Sequence, residues 1–351
     1  MLEDKNPQMT PISAYGEFGL IKHLTENFSF ENSSTEISIG DDAAVINPEG
    51  QMVVLTTDIL AEGVHFNLGY VPLKHLGYKA VVTNISDIAA MNATPTQILV
   101  GLAISNRFPV EALEEIYAGI ALACKRYKVD LVGGDTTSST SGLVMSITAI
   151  GLENPENIVK RSGAKANDLL VVTGDLGGAY MGLQILEREH SVYLANPNMQ
   201  PEMEGYDYIL ERQLKPEART DIKKTLKELD IKPTSMIDVS DGLSYEILHL
   251  SDQRKVGFHL YEEKVPMDSL TISTAEELNL NPVMCALSGG EDYELLFTIA
   301  PEDFDKIKNH PDFTIVGHAV DLEQGNFLIA RGSNELIPLN AQGWDAFLNR
   351  Q

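Results

Sequence analysis

Short aliphatic runs alternate along the chain with longer stretches whose apolar positions recur every three or four residues, and these two periods separate strands from helices. MVVLTTD (52–58), QILVGLAI (97–104), GLVMSITAIG (142–151), DLLVVTGD (168–175) and YELLFTI (293–299) read as strands bounded by glycine and polar punctuation. Glu111–Tyr127 sets apolar or aromatic residues at 113, 116, 117, 120, 124 and 127, the spacing of one helical face. AVVTNISDIAAMNA (80–93) is mostly small and apolar and reads as a buried helix. The pattern predicts a mixed α and β protein.

A chain of 351 residues exceeds the usual size of one hydrophobic core, so two domains are expected. NPENIVKRSGAKAND (154–168) is polar, contains Pro and Gly, and separates two strand patterns. The boundary is therefore placed at residues 1–152 and 153–351. VYLANPNMQPEM (192–203) reads as a surface loop, and Ser138–Ser141 as a mobile loop tip. No fixed-period repeat is present.

A hydrophobic content of 43% with 27 glycines fits an ordinary soluble α/β protein. No apolar run approaches the roughly 18 to 20 residues that cross a bilayer, and MLEDKNPQMTPIS lacks the basic-then-apolar order of a signal peptide. A cytoplasmic protein is expected. Cys124 and Cys285 lie in apolar contexts without CxxC spacing and read as buried free thiols. The formal net charge of −25 argues against a nucleic-acid surface, which needs a basic stripe, and leaves room for cations.

Aspartates recur just after short apolar segments, beside Gly, Ser or Thr. Asp41 and Asp42 follow ISIG, Asp58 follows MVVLTT, Asp135 follows VDLVGG, Asp175 follows LLVVTG, and Asp238 and Asp241 sit in SMIDVSDGLS. Each taken singly has a plainer reading as a turn or helix cap. Asp87 differs, because it falls inside the apolar helix pattern with only Lys79 as a nearby cation in that stretch. A buried carboxylate must be paired or metal-bound, and scattered aspartates suit a hard cation such as Mg²⁺, which commonly holds substrate phosphates.

Phosphate chemistry without a P-loop is then expected, since GxxxxGK[ST], GxGxxG and the HRD with DFG pair are all absent. LVGGDTT (131–137) and ALSGGEDYELLF (286–297) each carry a Gly-Gly-acid step, and Arg161 in RSGA is a candidate phosphate clamp. A Gly-Gly step alone is more often a simple turn.

As a set, GDDAAV (40–45), TTDILAEGVHF (56–66), NISDIAAMNATP (84–95), VGGDTT (132–137), KRSGAKANDLLVVTG (160–174), IDVSDGL (237–243) and LSGGEDYEL (287–295) resemble the thiamine-monophosphate kinase family. That family belongs to the aminoimidazole-ribonucleotide-synthetase-like ATP-binding superfamily. The match runs in order over nearly the whole chain. It implies ATP-dependent phosphorylation of thiamine monophosphate to thiamine diphosphate. It also implies a homodimer whose N-terminal mixed sheets pair into a shared barrel, with a C-terminal α/β sandwich domain on each subunit and the site in the cleft between domains.

By the same resemblance, Asp42, Thr56, Thr57, Asp58, Asp87, Asp135, Asp238 and Asp241 are similar to the family's magnesium-site residues. Gly134, Asp135, Arg161, Ser240 and, less firmly, Tyr117 look like ATP contacts. His65, Glu291 and Trp344 would touch thiamine monophosphate. In plainer terms, His65 reads as a core histidine and Trp344 as an anchor for the last helix. Neighbouring side chains on a strand end point opposite ways, so the two need not share a site; the resemblance puts the metal on Asp42 and leaves Asp41 to brace the turn.

Two anions must meet for this reaction, so several Mg²⁺ ions are expected to screen them and to stabilise charge on the transferring group. The acceptor is already an ionised phosphate oxygen. No general base, no catalytic side chain and no phospho-enzyme are expected. The competing readings are another ATP-dependent synthetase of the superfamily and a non-catalytic, divalent-cation-binding dimer.

Overall fold

The computed structural model describes residues 10, 14, 16–37, 45–254 and 256–340. Two compact units emerge: the first runs to Asn84 and again from Pro95 to Leu152, and the second holds Ile85–Thr94 and everything from Glu153 onward. The chain passes between them after Asn84, after Thr94 and after Leu152.

The first unit carries α1 (Gly16–Thr25), β1 (Thr35–Ile37), β2 (Val45–Ile46), β3 (Met52–Ala61), most of α2 (Leu73–Ala90), β4 (Thr94–Ile104), α3 (Val110–Tyr127), β5 (Asp130–Ser138) and β6 (Val144–Glu153). β1 and β2 form a small antiparallel ribbon, and the remaining strands make a four-stranded sheet in the order β3-β6-β4-β5. β4 and β5 are parallel, with Gly101 opposite Asp135. Parallel neighbours need a crossover, which α3 provides.

The apolar stripe read from the sequence is the buried face of α3, including Leu113, Ile116, Ile120 and Cys124. The helix stops where Lys128 turns left-handed at φ 56°, its N–H returning to the carbonyl of Cys124. Strand alternation does the rest: Ile98, Val100, Leu102 and Ile104 are buried on β4, and Met145, Ile147 and Ala149 on β6. β3 reverses this, leaving Val53, Leu55 and Ile59 exposed along one face.

The second unit is built on a seven-stranded sheet of order β13-β12-β9-β11-β7-β10-β8. Its elements are β7 (Leu169–Thr173), α4 (Gly178–Ala195), α5 (Asp207–Leu214), α6 (Ile222–Glu228), β8 (Ser235–Asp238), α7 (Leu243–Arg254), β9 (Val256–Tyr261), α8 (Ser269–Glu277) and α9 (Pro282–Ser288). β10 (Leu295–Ile299), α10 (Phe304–Ile307), β11 (Phe313–Asp321), β12 (Phe327–Ile329) and β13 (Leu336–Pro338) complete it. The strands are antiparallel except for the β9–β12 pair.

Both faces of this sheet are covered. Leu170, Val172, Ile237 and Leu296 pack with Leu243, Ile247 and Leu250 of α7 and Leu287 of α9. Val171, Met236, Leu295 and Phe297 pack the other way, against Ile222 and Leu226 of α6, Ile307 of α10 and Ala90 from the end of α2. Successive strand residues thus feed opposite cores, and the runs read as continuously apolar.

The five strands and both helices read from the sequence form, the one read over 80–93 being the end of α2, which stops at Ala90. The surface loop expected from Val192 begins later, because α4 continues to Ala195. Val-Tyr-Leu-Ala sustains the helix until Pro197 disfavours helical backbone at Asn196. Both cysteines are buried free thiols, as expected.

Candidate active site

In the second unit, the turn of α2 that carries Asp87 meets the end of β8. Ser86 donates its hydroxyl to Asp238 Oδ2 at 2.6 Å, and both residues are buried. The Asp238 carboxyl is pushed up to about 7, first by burial and then by the neighbouring charge of Asp87. Arg161 acts in the opposite direction on the same group. Asp87 is half-buried beside the buried Asp238, not fully buried as its apolar context suggests, and a cation that acts on Asp238, Arg161, comes from the 161–163 turn.

Beyond β8 the chain forms a loop, Val239–Gly242, that presents Ser240 and Asp241. Glu246, in the first turn of α7, accepts hydrogen bonds through Oε1 from the Asp241 N–H at 3.1 Å and the Ser240 hydroxyl at 3.3 Å. Burial pushes the Glu246 carboxyl up to about 8, with Asp238 and Asp241 adding to the shift. Asp241 is also raised by burial. His249, one turn further along α7, is lowered by burial and by Arg161. Arg161 therefore faces Asp238, Asp241, Glu246 and His249 together.

The segment Gly289–Tyr293 lies against this loop. Glu291 donates its N–H to the carbonyl of Ser240 at 2.7 Å, and Tyr293 donates to Val239 at 2.9 Å. The β8–β10 pairing, with Leu295 opposite Asp238, fixes that register. Asp87, Arg161, Asp238, Ser240, Asp241 and Glu291 are thus gathered in one place. Ser86, Glu246 and His249 join them without having been singled out from the sequence. Ser86 is adjacent to Asp87 in NISD, and Glu246 falls eight residues after Asp238 on the next helix.

In the first unit, β3 carries Thr56, Thr57 and Asp58, while β5 carries Gly134 and Asp135 on the far side of β6 and β4. The Asp58 N–H donates to Asn84 Oδ1 at 3.0 Å. The Thr57 hydroxyl donates to the carbonyl of Ile147 and accepts from Thr148 Oγ1, both at 3.0 Å, so it is tied to β6. Gly134 and Asp135 are exposed in the parallel ladder with β4, whose register shifts between Ile98 and Leu99.

His65 is exposed, and its Nδ1 accepts the Ala61 N–H at 3.0 Å, which removes the reading as a core histidine. The neutral ring therefore carries its proton on Nε2. Tyr117 lies in the buried face of α3, edge-on to Phe28, with its hydroxyl pushed up to about 12 by burial. Asp42, with its neighbour Asp41, and Trp344 lie outside the described residues.

The donor chemistry of these residues fits a hard divalent cation: carboxylates and hydroxyls, with no thiol among them. Keeping Asp238 ionised beside Asp87 is what such a cation would favour. Among the described residues, no three His, Cys, Asp or Glu side chains form a ready-made metal group. Each ion would then take one or two carboxylates from the protein and its remaining oxygens from phosphate and water.

Residues 40–152 match the family described as AIR synthase related protein, N-terminal domain. The thiamine-monophosphate kinase of Bacillus subtilis is 32% identical over 337 residues, covering 94% of this chain and 99% of that one. That of Escherichia coli is 32% identical over 344 residues, covering 95% and 99%. The crystal structure of thiamine-monophosphate kinase from Stenotrophomonas maltophilia superposes with a TM-score of 0.75 at 27% identity, covering 90% of this chain and 95% of that one. A structure described as AaThiL complexed with AMPPCP and TMP gives 0.73 at 30% identity, covering 97% and 100%. With this identity sustained over nearly its full length, the chain belongs to the thiamine-monophosphate kinase family.

Proposed function

We propose that this enzyme transfers the γ-phosphoryl group of ATP directly to the phosphate of thiamine monophosphate, giving thiamine diphosphate. Family membership supports the reaction class, and a relative solved with AMPPCP and TMP supports the two substrates. The observation that carries the phosphate-and-metal reading is the buried Asp238 carboxyl, pushed up to about 7 beside the charge of the half-buried Asp87. Such a pair is costly in a folded protein unless a cation offsets it.

Asp42, Thr56, Thr57, Asp58, Asp87, Asp135, Asp238 and Asp241 would hold the metal ions. When bound, Mg²⁺ supplies charge neutralisation between two anionic substrates and stabilises charge on the transferring group. The protein's own part is positioning. Arg161 and Ser240 would hold phosphate oxygens, with the Gly134–Asp135 backbone lying along the nucleotide. His65, Glu291 and Trp344 would orient thiamine monophosphate so that its ionised phosphate oxygen attacks in line, without a general base or a phospho-enzyme.

We further propose a homodimer in which the first units pair their sheets into a barrel. β3 is an edge strand of the four-stranded sheet, and Val53, Leu55 and Ile59 on one of its faces are 52%, 65% and 58% exposed. An exposed, apolar edge strand is a template for pairing with another copy. No helix among the described residues is long and apolar enough to cross a membrane, and two unpaired buried thiols accord with a reducing cytoplasm.

The test is to incubate the protein with ATP, Mg²⁺ and thiamine monophosphate and to measure thiamine diphosphate by chromatography. Product is expected, and its absence over a range of Mg²⁺ concentrations would sink the reading. Asp87→Asn keeps the packing volume and removes a ligand. It should abolish product formation while leaving the thermal midpoint within a few degrees of the parent.

A further inference from the structure

Helix α5, DYILERQL, lies in the second unit and was not marked by any motif reading of the sequence. Its residues nevertheless converge on the Gly289–Tyr293 turn. Tyr208 donates its hydroxyl to both oxygens of Asp175, at 2.8 and 2.6 Å. One turn later, Arg212 donates to the carbonyl of Asp175 at 2.9 Å, to the carbonyl of Asp292 at 3.3 Å and to Glu294 Oε1 at 3.0 Å. Beside it, Gln213 is only 6% exposed and donates its amide to Glu291 Oε2 at 2.9 Å.

The turn that receives these contacts is strained. Gly290, Glu291 and Tyr293 all have left-handed backbone, at φ 72°, 59° and 53°. A residue with a side chain costs roughly 1–2 kcal/mol in that conformation, which is why glycine usually fills it. Glutamate and tyrosine occupy two of the three positions here, so the surroundings must hold them. Asp292 does part of this by accepting the N–H groups of Gly177 and Ala179, at 2.8 and 3.3 Å. The Glu291 N–H to Ser240 and the Tyr293 N–H to Val239 do the rest. What the strain secures is the direction of the Glu291 side chain, and Gln213 then fixes the carboxylate at its end.

We propose that Gln213, backed by Arg212, is a positioning residue for substrate recognition, holding the Glu291 carboxylate at the angle in which it meets the cationic, amine-bearing heterocycles of thiamine monophosphate. This rests on the assignment of Glu291 to the substrate made above. The chemistry favours an amide in this place. Gln213 donates one hydrogen bond without adding a charge of its own beside Glu291. A lysine would neutralise the carboxylate, and a glutamate would repel it. A free glutamate also has three rotors whose freedom is lost on binding, and a carboxylate held beforehand has already lost it.

The test is steady-state kinetics of the full-length enzyme with saturating ATP and Mg²⁺. Gln213→Met keeps the volume and removes the donor. It should raise KM for thiamine monophosphate about tenfold, the size expected for one hydrogen bond to a charged group, with kcat and KM for ATP unchanged. Gln213→Asn, which keeps the amide but shortens its reach, should lie between parent and Gln213→Met and serves as the variant least apt to disturb folding. Glu291→Gln should itself raise that KM, and adding Gln213→Met to it should change nothing further. An unchanged KM in Gln213→Met, or a full additional effect on the Glu291→Gln background, would overturn the proposal. An unchanged KM in Glu291→Gln alone would overturn the substrate role of Glu291 and this inference with it, while leaving the kinase reaction standing.

Discussion

Two Gly-Gly-acid steps, VGGDTT and SGGEDYE, look alike in the sequence and are built on opposite principles. The first, in β5, is extended strand just past a register shift between Ile98 and Leu99: Gly133, Gly134 and Asp135 sit in the parallel ladder opposite Leu99, Val100 and Gly101, and the acid is exposed. The second is a left-handed turn in which Asp292 and Glu294 are buried and held by Arg212, Arg219 and backbone N–H groups. Glycine at 134 serves close approach, since a Cβ there would lie 1.9 Å from the carbonyl oxygen of Val100. Glycine at 290 serves a positive φ. A shared signature therefore says that backbone geometry is unusual nearby, without saying which way.

If the second step depends on buried charge, its cation is where the largest loss should appear. Arg212→Met leaves Asp292 and Glu294 facing each other with side-chain exposures of 0% and 4%. Breaking a buried pair by removing one partner costs about 3–5 kcal/mol, because a desolvated charge is left behind. Denaturant unfolding should show that fall, and a loss under 1 kcal/mol would mean that Arg219 alone satisfies Glu294. No exposed acid in β5 should approach this sensitivity.

The first step depends on backbone approach, so its sensitivity belongs to one glycine and not its neighbour. Gly134→Ala forces β4 and β5 apart and should cost about 1–3 kcal/mol, lowering the thermal midpoint by several degrees. A Cβ at Gly133 meets only Leu99 Cδ2, at 3.6 Å, an ordinary contact. Gly133→Ala should stay within about 1 kcal/mol of the parent, helped by a less disordered unfolded chain. Equal losses at both positions would show that the ladder is not what the glycines protect.

These contrasts also mark what the sequence could carry. Periodicity is local, so the helix at 110–127 and the strand ending at Ile104 were readable to within a residue or a few. Asp87 stood out because a carboxylate inside AVVTNISDIAAMNA has few ways to be stable. What surrounds it was not readable: the adjacent Ser86 meets Asp238 across 152 residues, and the pairing of β8 with β10 brings Glu291 to Ser240. Gln213 and Arg212 were invisible for the same reason. Their partners lie about 80 residues away, and DYILERQL by itself shows only an ordinary polar helix face.

The smallest of these effects is one of pH. Burial pushes the Asp292 carboxyl up to about 6 from an ordinary value of 3.8, Arg212 opposing that shift. Between those values the folded chain holds a proton that the unfolded chain has released, so this group's contribution to stability is complete below 3.8 and is lost as pH rises through 6. Asp292→Asn cannot titrate there. Every other acid is common to both proteins, so the gap in thermal midpoint between parent and variant isolates Asp292. The parent's midpoint minus the variant's should fall as pH rises from 4 to 7, by a few degrees. A difference that rises instead would mean that Arg212 and the two N–H donors outweigh burial and hold the carboxylate below its ordinary range, making the turn an ion-pair structure at every pH.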